Sequence, residues 1–99
     1  MTFEWDDAKA EANLRKHGVS FKEAQVVFVD EFAIEDHDAD HSSVEETRFR
    51  IIGMGYRRIV FVVYVVRDEI AERYRIITAR KAEKELEKVY WDERKKQEK

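Results

Sequence analysis

Ninety-nine residues, 43% of them hydrophobic, are enough to build one core and too few for two, so residues 1–99 read as a single domain. The chain has no cysteine, which excludes a disulfide framework and a thiolate metal site and agrees with a reducing, cytoplasmic setting. A net charge of −3 argues by itself against nucleic-acid binding, yet residues 1–47 hold 13 acids and 4 bases (−9) while residues 48–99 hold 15 bases and 9 acids (+6). Such a split marks a basic working face, an acidic half that meets a basic partner, or an evenly solvated surface that averages out in space.

Thr2 to Trp5 reads as a short strand, and Asp6 as the N-cap of a helix that runs to the stop at Gly18, with Ala10, Leu14 and His17 on one face. Ser20 and Glu23 have capping-box spacing, with Val19 and Ala24 placed as a hydrophobic staple, which predicts a second helix from Phe21 to about Val29. After a turn at Asp30-Glu31, the segment 32–35 is a short strand candidate, and the Asp- and Ser-rich stretch 35–46 is expected to be a mobile loop. Three β-branched and aromatic runs follow, at 48–54, 58–66 and 71–78, as an antiparallel meander. The middle run is apolar at nearly every position, so it belongs at the centre of the sheet with both faces covered. Its apolar core, Ile59 to Val66, is eight residues long against roughly twenty for a membrane helix, and the opening MTFEWDD lacks the features of a secretion signal. From about Ala79 the period becomes helical, with Ala82, Leu86, Val89 and Tyr90 as a stripe, and from about residue 91 the chain is expected to fray. The fold class is therefore α+β: a short N-terminal strand, two helices, an antiparallel meander and a C-terminal helix.

Side chains alternate across a strand, so Arg48 and Arg50 oppose Phe49 and Ile51, Arg73 and Arg75 oppose Tyr74 and Ile76, and Arg58 and Tyr64 oppose Ile59, Phe61 and Val63. If helices cover the apolar side, the other side gathers Arg48, Arg50, Arg58, Arg73, Arg75 and Tyr64, with Arg80 at its rim. The guanidinium fork matches two phosphate oxygens and stacks on bases; the bland alternative is that strand arginines shield apolar surface and discourage edge pairing. Metal-free RNA cleavage also needs groups that move protons. The candidates are His17, whose imidazole can carry a proton but also suits a helix C-terminus, and Glu45, Glu46 and His41 just before the first arginine strand. The acidic stretch from Asp36 lacks the glycine and glutamate of a calcium loop, having His41 and Thr47 there, and has no zinc-helix order, so no metal is expected.

The blocks FEWDDAKAEANLRKHGVSFKEA, DHSSVEETRFRIIG, RIVFVVY and RIITARKAEKELEKVY, in that order and spanning residues 3–90, resemble the BrnT family, ribonuclease toxins of type II toxin–antitoxin operons. The resemblance implies a RelE-like ribonuclease toxin fold, RNA cleavage that arrests growth, and a cognate DNA-binding antitoxin of ribbon-helix-helix type (BrnA-like) through which operator DNA is bound; together with the absence of a metal motif, the expectation is a metal- and cofactor-independent endoribonuclease. It places Trp5, Lys16 and His17 in the N-terminal motif and Arg58, Arg75 and Arg80 in the sheet and final-helix motifs. The resulting expectation is catalysis by Lys16, His17, Glu46, Arg58, Arg75 and Arg80, and RNA binding by Trp5, Arg48, Arg50, Tyr64 and Arg73. The chain departs from the family in having Thr78 where serine is usual and a short connection at Gly53-Met54-Gly55-Tyr56. Two other readings stand beside it: a non-catalytic antitoxin-binding module with degenerate activity, and a direct DNA-binding regulator, for which no recognisable DNA-binding motif is present.

Overall fold

A computed structural model describes residues 1–98. The elements run β1 (Thr2–Glu4), α1 (Asp7–His17), α2 (Phe21–Val27), β2 (Ile34–His37), a 3-10 turn (Ala39–His41), β3 (Arg48–Met54), β4 (Ile59–Asp68), β5 (Arg73–Lys81) and α3 (Lys84–Gln97). The helix caps follow their residues. Asp6 accepts from the Lys9 amide at 3.0 Å, and Gly18 closes α1 at φ 69°, a left-handed conformation in which a Cβ is strained. Ser20 caps α2 by accepting from the Glu23 amide at 3.0 Å, but the Glu23 carboxylate does not close the box, because it turns across to Arg58.

The five strands form one sheet in the order β1-β5-β4-β3-β2. β2 through β5 pair antiparallel, with β4 central as its two-sided apolar pattern requires, while β1 adds a parallel edge on β5. The meander is thus as expected, with shifted boundaries. β2 begins two residues later than 32–35 and takes in part of the supposed loop, and β5 continues to Lys81, so α3 starts at Lys84 rather than near Ala79. Residues 38–48 are tied down by a short ring of hydrogen bonds: the Asp38 amide to the Arg48 carbonyl at 2.8 Å, Ser42 Oγ to the Asp38 carbonyl at 2.7 Å, and the Arg48 amide to Ser42 Oγ at 2.9 Å.

Helices cover both faces of the sheet. α1 and α2 close the larger core, in which Val19, Phe21, Ala24 and Val27 meet Ile51, Val60, Val62, Tyr64 and Ile76. α3 closes a smaller one, Tyr90 and Ala82 against Ile52 and Ile59, with Phe61 and Leu86 at its margin. It continues through the segment expected to fray, because Arg94 anchors it: the guanidinium donates to Tyr90 Oη at 3.1 Å and lies 4.5 Å over the Phe32 ring. Lys99 lies outside the described residues. α3 covers one end of its face only; at the other end Val63 and Val65 remain 9% and 1% exposed without a helix above them. The stems of the strand arginines cover them.

A β-bulge decides which arginines those are. Val63 pairs with Thr78 and Tyr64 with Ile76, so Ile77 has no partner. Arg75 (opposite Val65) and Arg80 (opposite Phe61) are five positions apart, which in a regular strand would put them on opposite faces; the extra residue brings both to the α3 side. Asn13 of α1 holds this stretch. Its amide nitrogen donates to the Ala79 and Val19 carbonyls at 2.8 and 2.9 Å, and its oxygen accepts from the Ala79 amide at 3.2 Å and Thr78 Oγ1 at 3.1 Å. β1 ends at Glu4, so beyond Arg75 the edge of β5 lacks a strand partner, and the buried Asn13 amide supplies the missing pairing. The α1 face that carries Leu14 is not the docked one: Leu14 is 49% exposed, while Asn13 is buried against β5.

Replacing Asn13 with Ala leaves both Ala79 backbone groups unpaired in a buried place, and is expected to lower unfolding free energy by roughly 2–3 kcal/mol. Denaturant titration of N13A beside L14A tests this. A loss no larger than that of the exposed Leu14 would show that the clamp contributes nothing.

Candidate functional site

On the α3 side of the sheet, beyond the helix, lie Arg48 and Arg50 of β3 and Arg73, Arg75 and Arg80 of β5. Most are held by carboxylates from the edge strands and the neighbouring loop. Arg50 pairs with Asp36 of β2 at 2.7 Å, Arg48 with Glu46 at 3.1 Å, and Glu4 of β1 bridges Arg75 at 3.3 Å and Arg73 at 3.6 Å. Arg80 differs: among the described residues it makes no ion pair, and its guanidinium lies 4.9 Å over the Phe61 ring. The Nε atoms of Arg48 and Arg50 are buried without a hydrogen-bond partner among the described residues. The face therefore carries a surplus of unspent guanidinium donors.

Between Arg50 and Arg80 the surface dips into a hollow floored by Phe61, Val63 and Thr78 and walled by Asp38 and His41. The Asp38 carboxylate, whose side chain is 8% exposed, meets His41 Nδ1 at 3.0 Å, while the imidazole itself is 67% exposed. The His41 hydrogen bond holds the Asp38 carboxyl below the usual carboxylate range, against a smaller opposing push from burial. A buried carboxylate behind one ring nitrogen orients the ring and leaves Nε2 free to exchange a proton with a ligand. His41 stood among four proton-transfer candidates in the sequence and Asp38 among none. The i, i+3 spacing in a loop carries no signal until the 3-10 turn closes it.

Two of the expected face residues lie elsewhere. Arg58 and Tyr64 do share a face, but it is the one covered by α1 and α2, because β4 is apolar on both sides and alternation alone does not say which side is open. Arg58 grips Glu23 through two hydrogen bonds, Nη2 to Oε1 at 2.8 Å and Nε to Oε2 at 3.1 Å, and donates to the Gly18 carbonyl at 2.9 Å. Gly55 makes room for that pair, since a Cβ there would stand 2.6 Å from Glu23 Oε2. Tyr64 is buried among Phe28, Phe49 and Tyr74 and hydrogen-bonds Glu35; burial first, and then Glu35, push its hydroxyl far above the ordinary tyrosine range. Trp5, Lys16 and His17 also belong to the α1–α2 side. Trp5 packs edge-on against Phe21 at 5.9 Å, and Lys16 and His17 end α1, which docks on β5 from the side of the larger core. Of the expected site residues, the structure brings together Arg48, Arg50, Arg73, Arg75, Arg80 and Glu46.

The chain is a small α+β domain with a basic sheet face beside a carboxylate-backed histidine, groups whose chemistry suits holding phosphates and moving protons. The family model described as "Ribonuclease toxin, BrnT, of type II toxin-antitoxin system" matches residues 5–85, and the chain belongs to that family. Its members are ribonuclease toxins of systems whose second component is a protein antitoxin. The fold agrees: the 1.1 Å crystal structure of the Brucella abortus ribonuclease toxin BrnT superposes with a TM-score of 0.63 at 22% identity, over 85% of this chain and 99% of that one. A search of curated proteins finds no match. Among the described residues no helix is long and apolar enough to cross a membrane.

The Arg58 correction has a measurable consequence. Arg58, first through its hydrogen bond, and the Tyr56 amide hold the Glu23 carboxyl below its ordinary value of 4.5, outweighing the upward push of burial. A carboxylate depressed in the folded state contributes stability above its unfolded pKa and loses it as pH falls through the folded value. Glu23→Gln is therefore expected to lower stability at pH 7 by roughly 1–2 kcal/mol, discounted because Arg58 is partly exposed. It is also expected to flatten the fall in stability below pH 4.5. Urea midpoints from pH 7 down to pH 3 read both, and an unchanged acid limb in E23Q would contradict the assignment.

Proposed function

We propose that this protein is a metal-independent endoribonuclease that arrests growth, with the α3-side hollow as its active site. The observation that carries the reading is the meeting of Arg50 and Arg80 with the Asp38–His41 pair around one hollow. Arg80, free of a carboxylate, takes a non-bridging oxygen of the scissile phosphate. Arg50 takes the other as its pair with Asp36 loosens, and Arg75, Arg73 and Arg48 continue the track along the chain of phosphates. His41 Nε2 takes the proton of the 2′-hydroxyl, the 2′-oxygen attacks phosphorus, and the P–O5′ bond breaks as the 5′-oxygen picks up a proton from water, which the imidazolium re-protonates to restore neutral His41. The products are a 2′,3′-cyclic phosphate and a 5′-hydroxyl. The arginines stabilise the charge that grows on the phosphorane. Asp38 is a positioning residue that keeps the imidazole in one tautomer and orientation. Glu46, tied to Arg48 at the margin, tunes that arginine.

Purified protein is expected to cut RNA in the presence of EDTA and leave 5′-hydroxyl ends; loss of cleavage under chelation overturns the metal-free route. His41→Ala is expected to lower kcat about 100- to 1000-fold. Asp38→Asn is expected to lower kcat about tenfold with little change in KM, and Arg50→Ala with Arg80→Ala to raise KM and lower kcat together. Wild-type rates in H41A would remove histidine from the mechanism.

As partner we propose a ribbon-helix-helix antitoxin of BrnA type that occludes the arginine face and carries the complex to operator DNA. One observation favours a second reading, a non-catalytic antitoxin-binding module: four of the five face arginines already pair with carboxylates of the chain, three acids being shared among them. Expression without the antitoxin separates the two, since growth arrest that H41A abolishes requires the enzyme and harmless accumulation requires the module.

A further inference from the structure

A second cleft, of about 400 Å³, opens between α3 and the sheet next to the His41 hollow. Its walls are Ile34, Ile52, Phe61, Leu86 and Val89, and its polar margin is Asp36, Arg50 and Arg80. Nothing proposed above uses it, although Val89 stands 47% exposed at its mouth, one residue before the fully buried Tyr90. The two cavities share Arg50, Phe61 and Arg80. A nucleotide whose phosphate lies between the two guanidinium groups therefore has its base beside an apolar slot lined on one side by an aromatic ring, the combination that receives an unstacked base.

We propose that this cleft is the base subsite of the enzyme and that it selects guanine. The inference rests on the reading of the arginine face as the phosphate site. The selectivity follows from Asp36, the one carboxylate among the cleft's lining residues, whose side chain is 57% exposed while paired to Arg50. A carboxylate offers acceptors only. Guanine alone presents two adjacent donors, N1–H and the N2 amino group, to meet both its oxygens. Adenine and cytosine set one amino donor beside an unprotonated ring nitrogen that repels the carboxylate, and uracil sets one N–H between two carbonyls. Guanine binding and phosphate binding also reinforce each other. As Asp36 turns to the base edge it releases Arg50, whose guanidinium then serves the phosphate.

The test titrates the intact protein with guanosine, adenosine, cytidine and uridine monophosphates, each as the 3′ and the 5′ isomer, and with inorganic phosphate, following arginine Nε–H and Leu86 and Val89 methyl NMR signals. One isomer of guanosine monophosphate is expected to bind at least about tenfold more tightly than the other three bases, the discrimination of one bidentate edge pair, and to shift the Leu86 and Val89 methyls. Asp36→Asn is expected to abolish that preference without weakening inorganic phosphate. Val89→Arg, an exposed substitution that leaves the core intact, is expected to abolish the base contribution while phosphate still shifts Arg50 and Arg80. Equal affinity for all four bases, or a guanine preference that survives D36N, overturns the inference while leaving the phosphate site standing. If neither phosphate nor any nucleotide moves Arg50 and Arg80, the underlying reading falls with it.

Discussion

A single buried amide sets what the sheet presents to a ligand. Asn13 reaches from α1 to the backbone of β5 where β1 has ended, and it pairs with the Ala79 amide and carbonyl as a further strand would. The pairing lies immediately beyond the bulge at Ile77, so it secures the segment in which the strand has changed face. Without the bulge, Arg80 would point toward the α1–α2 core and Ala79 toward the open side. With it, Ala79 is fully buried and Arg80 is delivered beside Arg50, over Phe61. An amide that needs three or four partners to be buried at all is well suited to this, because its bonds are lost together if the register slips.

The arginine face is built from opposed requirements. The aliphatic stems must cover Val63 and Val65 where α3 does not reach, and the charged heads must be kept apart before any ligand arrives. Carboxylates on the two edge strands and the adjoining loop achieve the second: Glu4 on β1, Asp36 on β2 and Glu46 before β3. Such partly exposed pairs are worth little individually, so exchanging a carboxylate for a phosphate costs little. On the proposed reading, this is how a chain of net charge −3 takes up a polyanion. The acids that lower the net charge are partly the counterions of the arginine face, and the linear charge split becomes a spatial interleaving rather than two poles.

Much of the architecture was legible because it is written in local chemistry. Asp6, Gly18 and Ser20 mark helix ends through their own hydrogen bonds and φ, and the fully apolar β4 can sit only in the middle of a sheet covered on both sides. That same completeness defeated the face assignment. Where both faces of a strand are apolar, alternation sorts residues into two sets and cannot say which set is covered, so Arg58 and Tyr64 were grouped with arginines that point the other way. The bulge was invisible because Ile77 suits a regular strand equally well. Asn13 stands in the middle of the motif that carries the family resemblance, but a polar residue on a helix announces a surface until the unpaired edge of β5 is known. The Asp38–His41 pair was hidden because a 3-10 turn within a polar stretch has no periodicity. The frayed end was expected from the lack of an apolar face after Tyr90, and was prevented by Arg94 stacking on Phe32, a contact distant in sequence.

The central proposal is that RNA is held on the α3-side face by Arg50 and Arg80 beside His41, and not by Arg58 on the α1–α2 side. The most direct measurement is a titration of isotope-labelled protein with a short RNA made uncleavable by 2′-O-methylation, following arginine Nε–H and histidine ring signals by NMR. Large, saturable shifts are predicted for Arg50, Arg80 and His41, with Arg58 unmoved in its pair with Glu23. Shifts centred on Arg58, Lys16 and His17, with Arg50 and Arg80 silent, would contradict the account and move the site to the opposite side of the sheet.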